Sequence, residues 1–176
     1  MVGFSKRSSR WAGLGKAEIL FLLLIAVFLV YLQLLHFSAA NVKVIVEEVR
    51  FPDLTDTLSL AATRRLRVVL GLTVEGKGPL PVVLRSYAFD VFVESAYVGM
   101  VTSNQAVEVK PGETRILREV FTINAVQVST YDLMWVAQAV REYGSVLAEL
   151  DGYVEIDVLF YTVRIPVRYQ ARVELG

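Results

Sequence analysis

The sequence predicts a mainly β chain: an antiparallel two-sheet β-sandwich with one helix, carried behind an N-terminal transmembrane helix. Three observations lead there. A nineteen-residue apolar run lies near the N-terminus, the residues after it alternate apolar and polar with a period of two, and Gly/Pro turns cut those alternations into short segments.

The apolar run opens at Ile19. Every residue to Leu32 is apolar or Tyr, and the stretch continues to Phe37 with only Gln33 and His36 interrupting it. At a helical rise of ~1.5 Å per residue, this run reaches about 28 Å, close to the ~30 Å hydrocarbon core of a bilayer. Trp11 on one side and Tyr31 and Phe37 toward the other suit the two interfaces. Lys6, Arg7, Arg10 and Lys16 precede the run, whereas Lys43, Glu47 and Glu48 follow it, so the positive-inside rule keeps the N-terminus cytoplasmic and exports the rest. The chain divides accordingly into a basic cytoplasmic leader (1–16), a transmembrane helix (17–37) and an extracytoplasmic domain (41–176). Ser38-Ala39-Ala40 offers small residues for signal cleavage, but the run exceeds the ~7–15-residue apolar core of a signal peptide, which favours retention. A buried core helix would show a polar face, and this one has none.

After the membrane segment, Val42, Val44 and Val46 begin a first strand. Leu66, Val68, Leu70, Leu72 and Val74 alternate with polar residues in a second, and Tyr87, Phe89, Val91 and Val93 alternate with Asp90 and Glu94 in another. The turns Glu75-Gly76-Lys77-Gly78-Pro79 and Lys110-Pro111-Gly112-Glu113 separate strands, the second lying between Val107, Val109 and the run from Thr114 to Ile123. Ser129 followed by Asp132 resembles a capping box, Leu133, Val136, Ala137 and Val140 make a helical stripe, and Gly144 ends it. Tyr131 and Trp135 on this helix are assigned to the core. Val154, Ile156, Val158 and Phe160 lead into a terminal hairpin around Tyr161 to Arg164, whose second strand places Ile165, Val167, Tyr169, Ala171, Val173 and Leu175 on one face. Pro166 removes a backbone donor and marks that strand as an edge or its own position as outward-facing. Seven or so strands result, and two one-sided sheets bury each other's apolar faces.

Composition narrows the function. The whole chain has 18 bases and 18 acids, and after Glu18 the balance is slightly acidic, which gives no pull toward nucleic acid. There is no cysteine, and the single histidine, His36, sits at the edge of the apolar run. A thiol nucleophile, a disulfide, a thiolate metal site and a histidine-based catalytic centre therefore have no raw material in the domain, and no cofactor is expected. Gly13-Leu14-Gly15-Lys16 lacks the Ser/Thr and the preceding strand of a phosphate loop.

The stretch from Leu80-Pro81-Val82-Val83 through Tyr87-Ala88-Phe89-Asp90-Val91, then Tyr97-Val98-Gly99, then Val109-Lys110-Pro111-Gly112-Glu113-Thr114, resembles the water-stress and hypersensitive-response (WHy) domain of late embryogenesis abundant (LEA) type 2 proteins. The resemblance covers roughly residues 41 to 176, and the helix from Ser129 to Gly144 with the hairpin from Gly152 to Leu175 agrees with it. Where that family often has Asn-Pro-Asn after its second strand, this chain has Glu75-Gly76-Lys77-Gly78. The resemblance implies a fibronectin/immunoglobulin-like sandwich, a link to desiccation or stress tolerance and, in several members, a single preceding membrane span. It implies no catalytic residues.

Six arginines are the candidate contact residues. Arg64, Arg65 and Arg67 form a basic cluster suited to lipid headgroups or an anionic partner, against which stands a merely solvated strand face. Arg164, Arg168 and Arg172 line one face of the last strand and suit an acidic surface, against which stand cross-strand pairs with Glu155 and Asp157. Asp90 with Glu94, as an acid/base or calcium pair, is outweighed by their placement on the wet side of a strand. The expected protein is a membrane-anchored, non-enzymatic module outside the cytoplasm, in contact with the lipid bilayer and a protein partner or anionic surface. The alternative is a pilin-like or envelope-spanning assembly subunit, suggested by Glu18 just inside a basic leader.

Overall fold

The computed structural model describes residues 15–54, 63–124 and 128–174. Residues 1–14 of the expected basic leader, with Lys6, Arg7, Arg10 and Trp11, and Leu175 lie outside the described residues. Helix α1 (Lys16–Ala40) leads into β1 (Val42–Arg50), followed by β2 (Arg65–Gly76), β3 (Val82–Val93), β4 (Ala96–Ser103), β5 (Val107–Val109), β6 (Thr114–Asn124), helix α2 (Thr130–Tyr143), β7 (Ser145–Val158) and β8 (Tyr161–Glu174). The strands form two antiparallel sheets. One has the order β1-β2-β6, and the other the order β4-β3-β7-β8 with β5 paired to the start of β3.

The period-two reading explains the layers. Leu66, Val68, Leu70, Leu72 and Val74 of β2 and Tyr87, Phe89, Val91 and Val93 of β3 all point into one shared core. They meet Val154, Ile156 and Val158 of β7 there. Arg85 lies at a register shift between Leu84 and Ser86, so Val82 and Leu84 are buried in one phase and Tyr87 onward in the other. Phe89 is fully buried, and removing a side chain of that size from a core costs about 3–5 kcal/mol. Gly152 sits opposite Phe89, where an added Cβ would come within 2.0 Å of the Ala88 carbonyl oxygen. Here β3 and β7 approach so closely that any side chain forces them apart.

Helix α1 is long and apolar enough to cross a membrane, with a mean hydropathy of 2.6 over its best window, a property that signal sequences share. Its side chains are exposed from Lys16 to Val30, and only its C-terminal part touches the domain. Asn41 caps it, donating its backbone N–H and its side-chain amide to the Phe37 carbonyl, and β1 starts at the next residue. Ser38 is fully buried, and its hydroxyl accepts the Leu80 N–H at 3.1 Å. Gly78 lies against it so tightly that a Cβ there would stand 2.4 Å from the Ser38 Cα. Lys77 closes the junction by donating its N–H to the Asn41 carbonyl at 3.2 Å.

α2 is capped as expected at both ends, but the capping box forms only in half, because the Asp132 carboxylate accepts the Ser129 hydroxyl at 2.6 Å rather than its backbone N–H. The Ser129 hydroxyl accepts the Asp132 N–H at 3.1 Å, and Gly144 ends the helix in the left-handed region that glycine tolerates. Val136 and Ala139 are its buried residues, with Leu133 and Val140 packed beside them. Tyr131 and Trp135 are exposed, contrary to the core expectation, because one stripe of a short surface helix suffices to cover the sandwich and these two rings stack on each other along the opposite side.

The described residues form eight strands, in line with the seven or so expected. β7 starts at Ser145, directly after α2, because the run Val146, Ala148, Leu150 continues its inward face upstream of Val154. The terminal hairpin turns at Leu159–Phe160 rather than around Tyr161 to Arg164, since Val158 already pairs with Tyr161. β8 is the last strand of the order β4-β3-β7-β8 and pairs there with β7, so it is the edge strand in which a proline's missing donor is tolerated, and the Pro166 side chain is exposed.

The Gly152 contact yields a direct test. Gly152→Ala should lower unfolding stability by about 1–3 kcal/mol through overpacking. Urea titration of the purified chain in detergent, followed by the β-sheet circular dichroism signal, measures it, and an unmoved midpoint would contradict the β3–β7 approach.

Candidate functional site

Strand direction gives the domain two ends. β1 leaves α1 and runs away from it, β2 and β7 return, and the β2–β3, β5–β6 and β7–β8 turns therefore gather beside the helix. Helix α2, the β3–β4 turn and the start of β2 lie at the far end. The register puts Arg65 opposite Asn124 and Gly76 opposite Val42, so the first arginine cluster stands about eleven residues, or ~36 Å along the strand, from the helix junction.

In that cluster Arg67 has a defined task. Its guanidinium grips Asp53 with Nε–oxygen distances of 3.0 and 2.9 Å and Nη2 at 2.6 Å, and its N–H donates to the same carboxylate at 3.2 Å. The contact pins the turn that carries the buried Phe51 and Leu54 onto β2. Arg65 is exposed, and Arg64 adopts a positive φ of 50° just before the strand.

Arg164, Arg168 and Arg172 do share the outer face of β8. Arg164 Nη2 lies 2.6 Å from Glu155, whose other oxygen accepts the Ser86 hydroxyl at 2.9 Å, and the guanidinium covers the Tyr153 ring at 4.1 Å. Arg168 pairs with Asp151 at 3.2 Å, and Arg172 lies 5.4 Å from the centre of the Tyr143 ring. Glu155 thus takes the expected cross-strand role. Asp157 does not, accepting the Thr162 hydroxyl at 2.6 Å instead, because its register partner is Thr162 and not an arginine. The fold sends the two groups of arginines to different sheets, Arg65 and Arg67 on β2 with Arg64 just before it, and Arg164, Arg168 and Arg172 on β8; Arg67, Arg164 and Arg168 are engaged by carboxylates.

The carboxylate pair separates as well. Asp90 faces out of β3 beside Tyr97, whereas Glu94 belongs to the β3–β4 turn at φ 49°, not to the wet face of a strand. Its carboxylate accepts the Leu147 N–H at 2.8 Å. Among the described residues no three His, Asp or Glu side chains converge on a metal-sized site. A partly buried polar cluster joins Tyr87, Ser103 and Glu119, where Ser103 donates to Glu119 at 3.1 Å. Burial, reinforced by the Glu119 charge, pushes the Tyr87 phenol well above its ordinary range, so it stays protonated and ties β3, β4 and β6 together.

Two surfaces escaped the sequence reading. At the far end, Tyr131, Met134, Trp135 and Tyr143 of α2 are exposed. At the helix end, Leu159, Phe160 and Tyr161 are exposed in succession, and the Phe160 ring lies 6.0 Å from Tyr31 of α1. Three consecutive bulky apolar residues at a hairpin tip, where polar turn residues are the rule, were the available signal.

No family model matches the chain, and no curated protein matches it. Among solved structures, the solution structure of AT1g01470 from Arabidopsis thaliana superposes with a TM-score of 0.50 at 16% identity, over 74% of this chain and 79% of that one. The solution structure of a putative late embryogenesis abundant protein, At2g46140.1, gives 0.50 at 12% identity over 77% and 71%. A crystal structure of a protein from Archaeoglobus fulgidus gives 0.47 at 14% identity over 77% and 96%. For the two matches at a TM-score of 0.50, what is shared at such identities is the fold, and the sandwich is LEA-like in architecture.

The ion pairs set a pH dependence. Hydrogen bonding to Arg164, then to Ser86, holds the Glu155 carboxyl below its ordinary 4.5, and hydrogen bonding to Arg67 holds Asp53 below 3.8. Folded values lower than unfolded ones mean that each pair stabilises the fold above those ordinary values and loses its effect as pH falls through the lowered folded values. Arg164→Met should therefore lower the melting temperature slightly at neutral pH and reduce the drop seen on acidification below about pH 4. Thermal melts at neutral and acid pH measure both, and identical profiles for the two proteins would contradict the pairing.

Proposed function

We propose that this chain is a membrane-tethered, non-enzymatic β-sandwich module, anchored by residues 17–37 with its leader in the cytoplasm and residues 41–176 outside it. The carrying observation is α1: a 25-residue apolar helix, bare on all sides over most of its length, whose far end is packed into the sandwich. A soluble protein has no use for such a surface, and a bilayer hides it at no cost in hydrogen bonds, because every backbone group inside the helix is paired.

The module reading follows from what the side chains do. Arg67, Arg164 and Arg168 hold carboxylates, Glu94 holds a backbone amide and Tyr87 closes a buried network, so the polar groups with defined partners serve the fold. LEA-like architecture and the name carried by one structural neighbour support a stress- or desiccation-related binding or structural role. In this reading Arg172, the member of the outward row whose guanidinium faces the Tyr143 ring rather than a cross-strand carboxylate, is the part of β8 offered to an acidic partner. Arg64 and Arg65 serve a partner at the far end rather than the headgroups of the anchoring bilayer, from which the strand length separates them.

Washing membranes at alkaline pH tests the tether: the full chain should stay with the lipid, and residues 41–176 made alone should remain in solution. Alkaline phosphatase fused after Glu174 should be active when the protein is made in bacteria. Release of the full chain, or an inactive fusion on a membrane-bound chain, would overturn the anchor or its orientation respectively.

A further inference from the structure

Resting on the tether reading, the geometry points to a second membrane contact: the β7–β8 hairpin tip, Leu159-Phe160-Tyr161, enters the lipid interface beside α1. Leu159, Phe160 and Tyr161 are 52%, 76% and 55% exposed, an apolar surface that water does not favour. Its neighbour identifies what covers it. Phe160 lies against Tyr31, and Tyr31 precedes Phe37, the end of the apolar run, by six residues, or ~9 Å along a helix. A bilayer thick enough to cover the run to Phe37 must therefore reach the depth of Phe160, and aromatic rings are favoured at that depth.

The backbone agrees. Leu159 takes a φ of 57°, a conformation that costs a side-chain-bearing residue about 1–2 kcal/mol and that glycine or asparagine would adopt more easily. A leucine at this tip is poor turn chemistry in water and good chemistry in lipid. The surroundings are compatible too. Lys43, Lys77 and Lys110, the three lysines that follow the helix, all lie on this end, with stems long enough to reach headgroups while Glu75 holds Lys77 at 2.8 Å. Asp157, the acid nearest the tip in sequence, is turned to Thr162. The domain would then touch the membrane at two points, the rod of α1 and the hairpin, which fixes its tilt as a single anchor cannot.

The natural absence of cysteine makes the test direct. Single variants Leu159→Cys, Phe160→Cys, Leu24→Cys and Met134→Cys of the full chain are spin-labelled and reconstituted in vesicles of phosphatidylcholine and phosphatidylglycerol. Collision rates with oxygen, which concentrates in lipid, are compared with those of a water-soluble nickel chelate. Labels at 159 and 160 should resemble Leu24 in the span, with oxygen dominant by several-fold, while Met134 at the far end should show the reverse. If 159 and 160 behave like Met134 while Leu24 is in lipid, the inference fails and the tether stands. If Leu24 itself meets the nickel chelate, both fail. Dipolar broadening between labels at 160 would assign the tip to a second copy of the chain and overturn the lipid contact.

Discussion

The contact between Ser38 and Gly78 is the constraint from which the rest of the architecture follows. A fully buried serine, one residue of connection and a glycine with no room for a Cβ leave α1 a single way to leave the domain. Had a flexible linker stood between Ala40 and Val42, the direction of the helix would carry no information about the sandwich. Because the joint is packed and hydrogen-bonded through Ser38, Leu80, Asn41 and Lys77, the end of the sandwich that faces α1 is fixed by the fold itself.

That polarity sorts the surface chemistry. The near end gathers three turns, three lysines and an apolar hairpin tip, and the far end gathers Arg64, Arg65 and the aromatic side of α2. Between them the outer face of β7 and β8 carries opposed charges in register, Glu155 with Arg164 and Asp151 with Arg168. Exposed pairs of this kind contribute little stability in water, but they keep an edge strand charged and so discourage a second sheet from adding to it. The cohesion of the domain comes instead from the inward rows of β2, β3 and β7.

Much of this was legible in the residues. The alternation along β8, the first half of β2 and β3 after Arg85 has one half-buried solution, and Ser129, Asp132 and Gly144 mark both ends of a helix by local hydrogen bonding alone. Other features depend on groups far apart in sequence. Whether Trp135 is core or surface is decided by how much area α2 must cover, and the pairing of Arg168 with Asp151 rather than Asp157 by the β7–β8 register. Glu94 looked like a strand residue because it continues the polar side of the alternation; its positive φ and its bond to Leu147 arise only when β7 arrives beside the turn. The resemblance to the WHy domain anticipated the architecture, and solved structures share it at the level of fold.

Whether α1 and the sandwich move as one body is measured by distance distributions between nitroxides at Leu24→Cys and Val120→Cys in vesicles, using double electron–electron resonance. A packed joint gives one narrow peak, which Gly78→Val broadens by wedging Ser38 away. A distribution already broad in the chain with Gly78 intact would mean that the helix swings freely, and the fixed orientation of the domain would be contradicted.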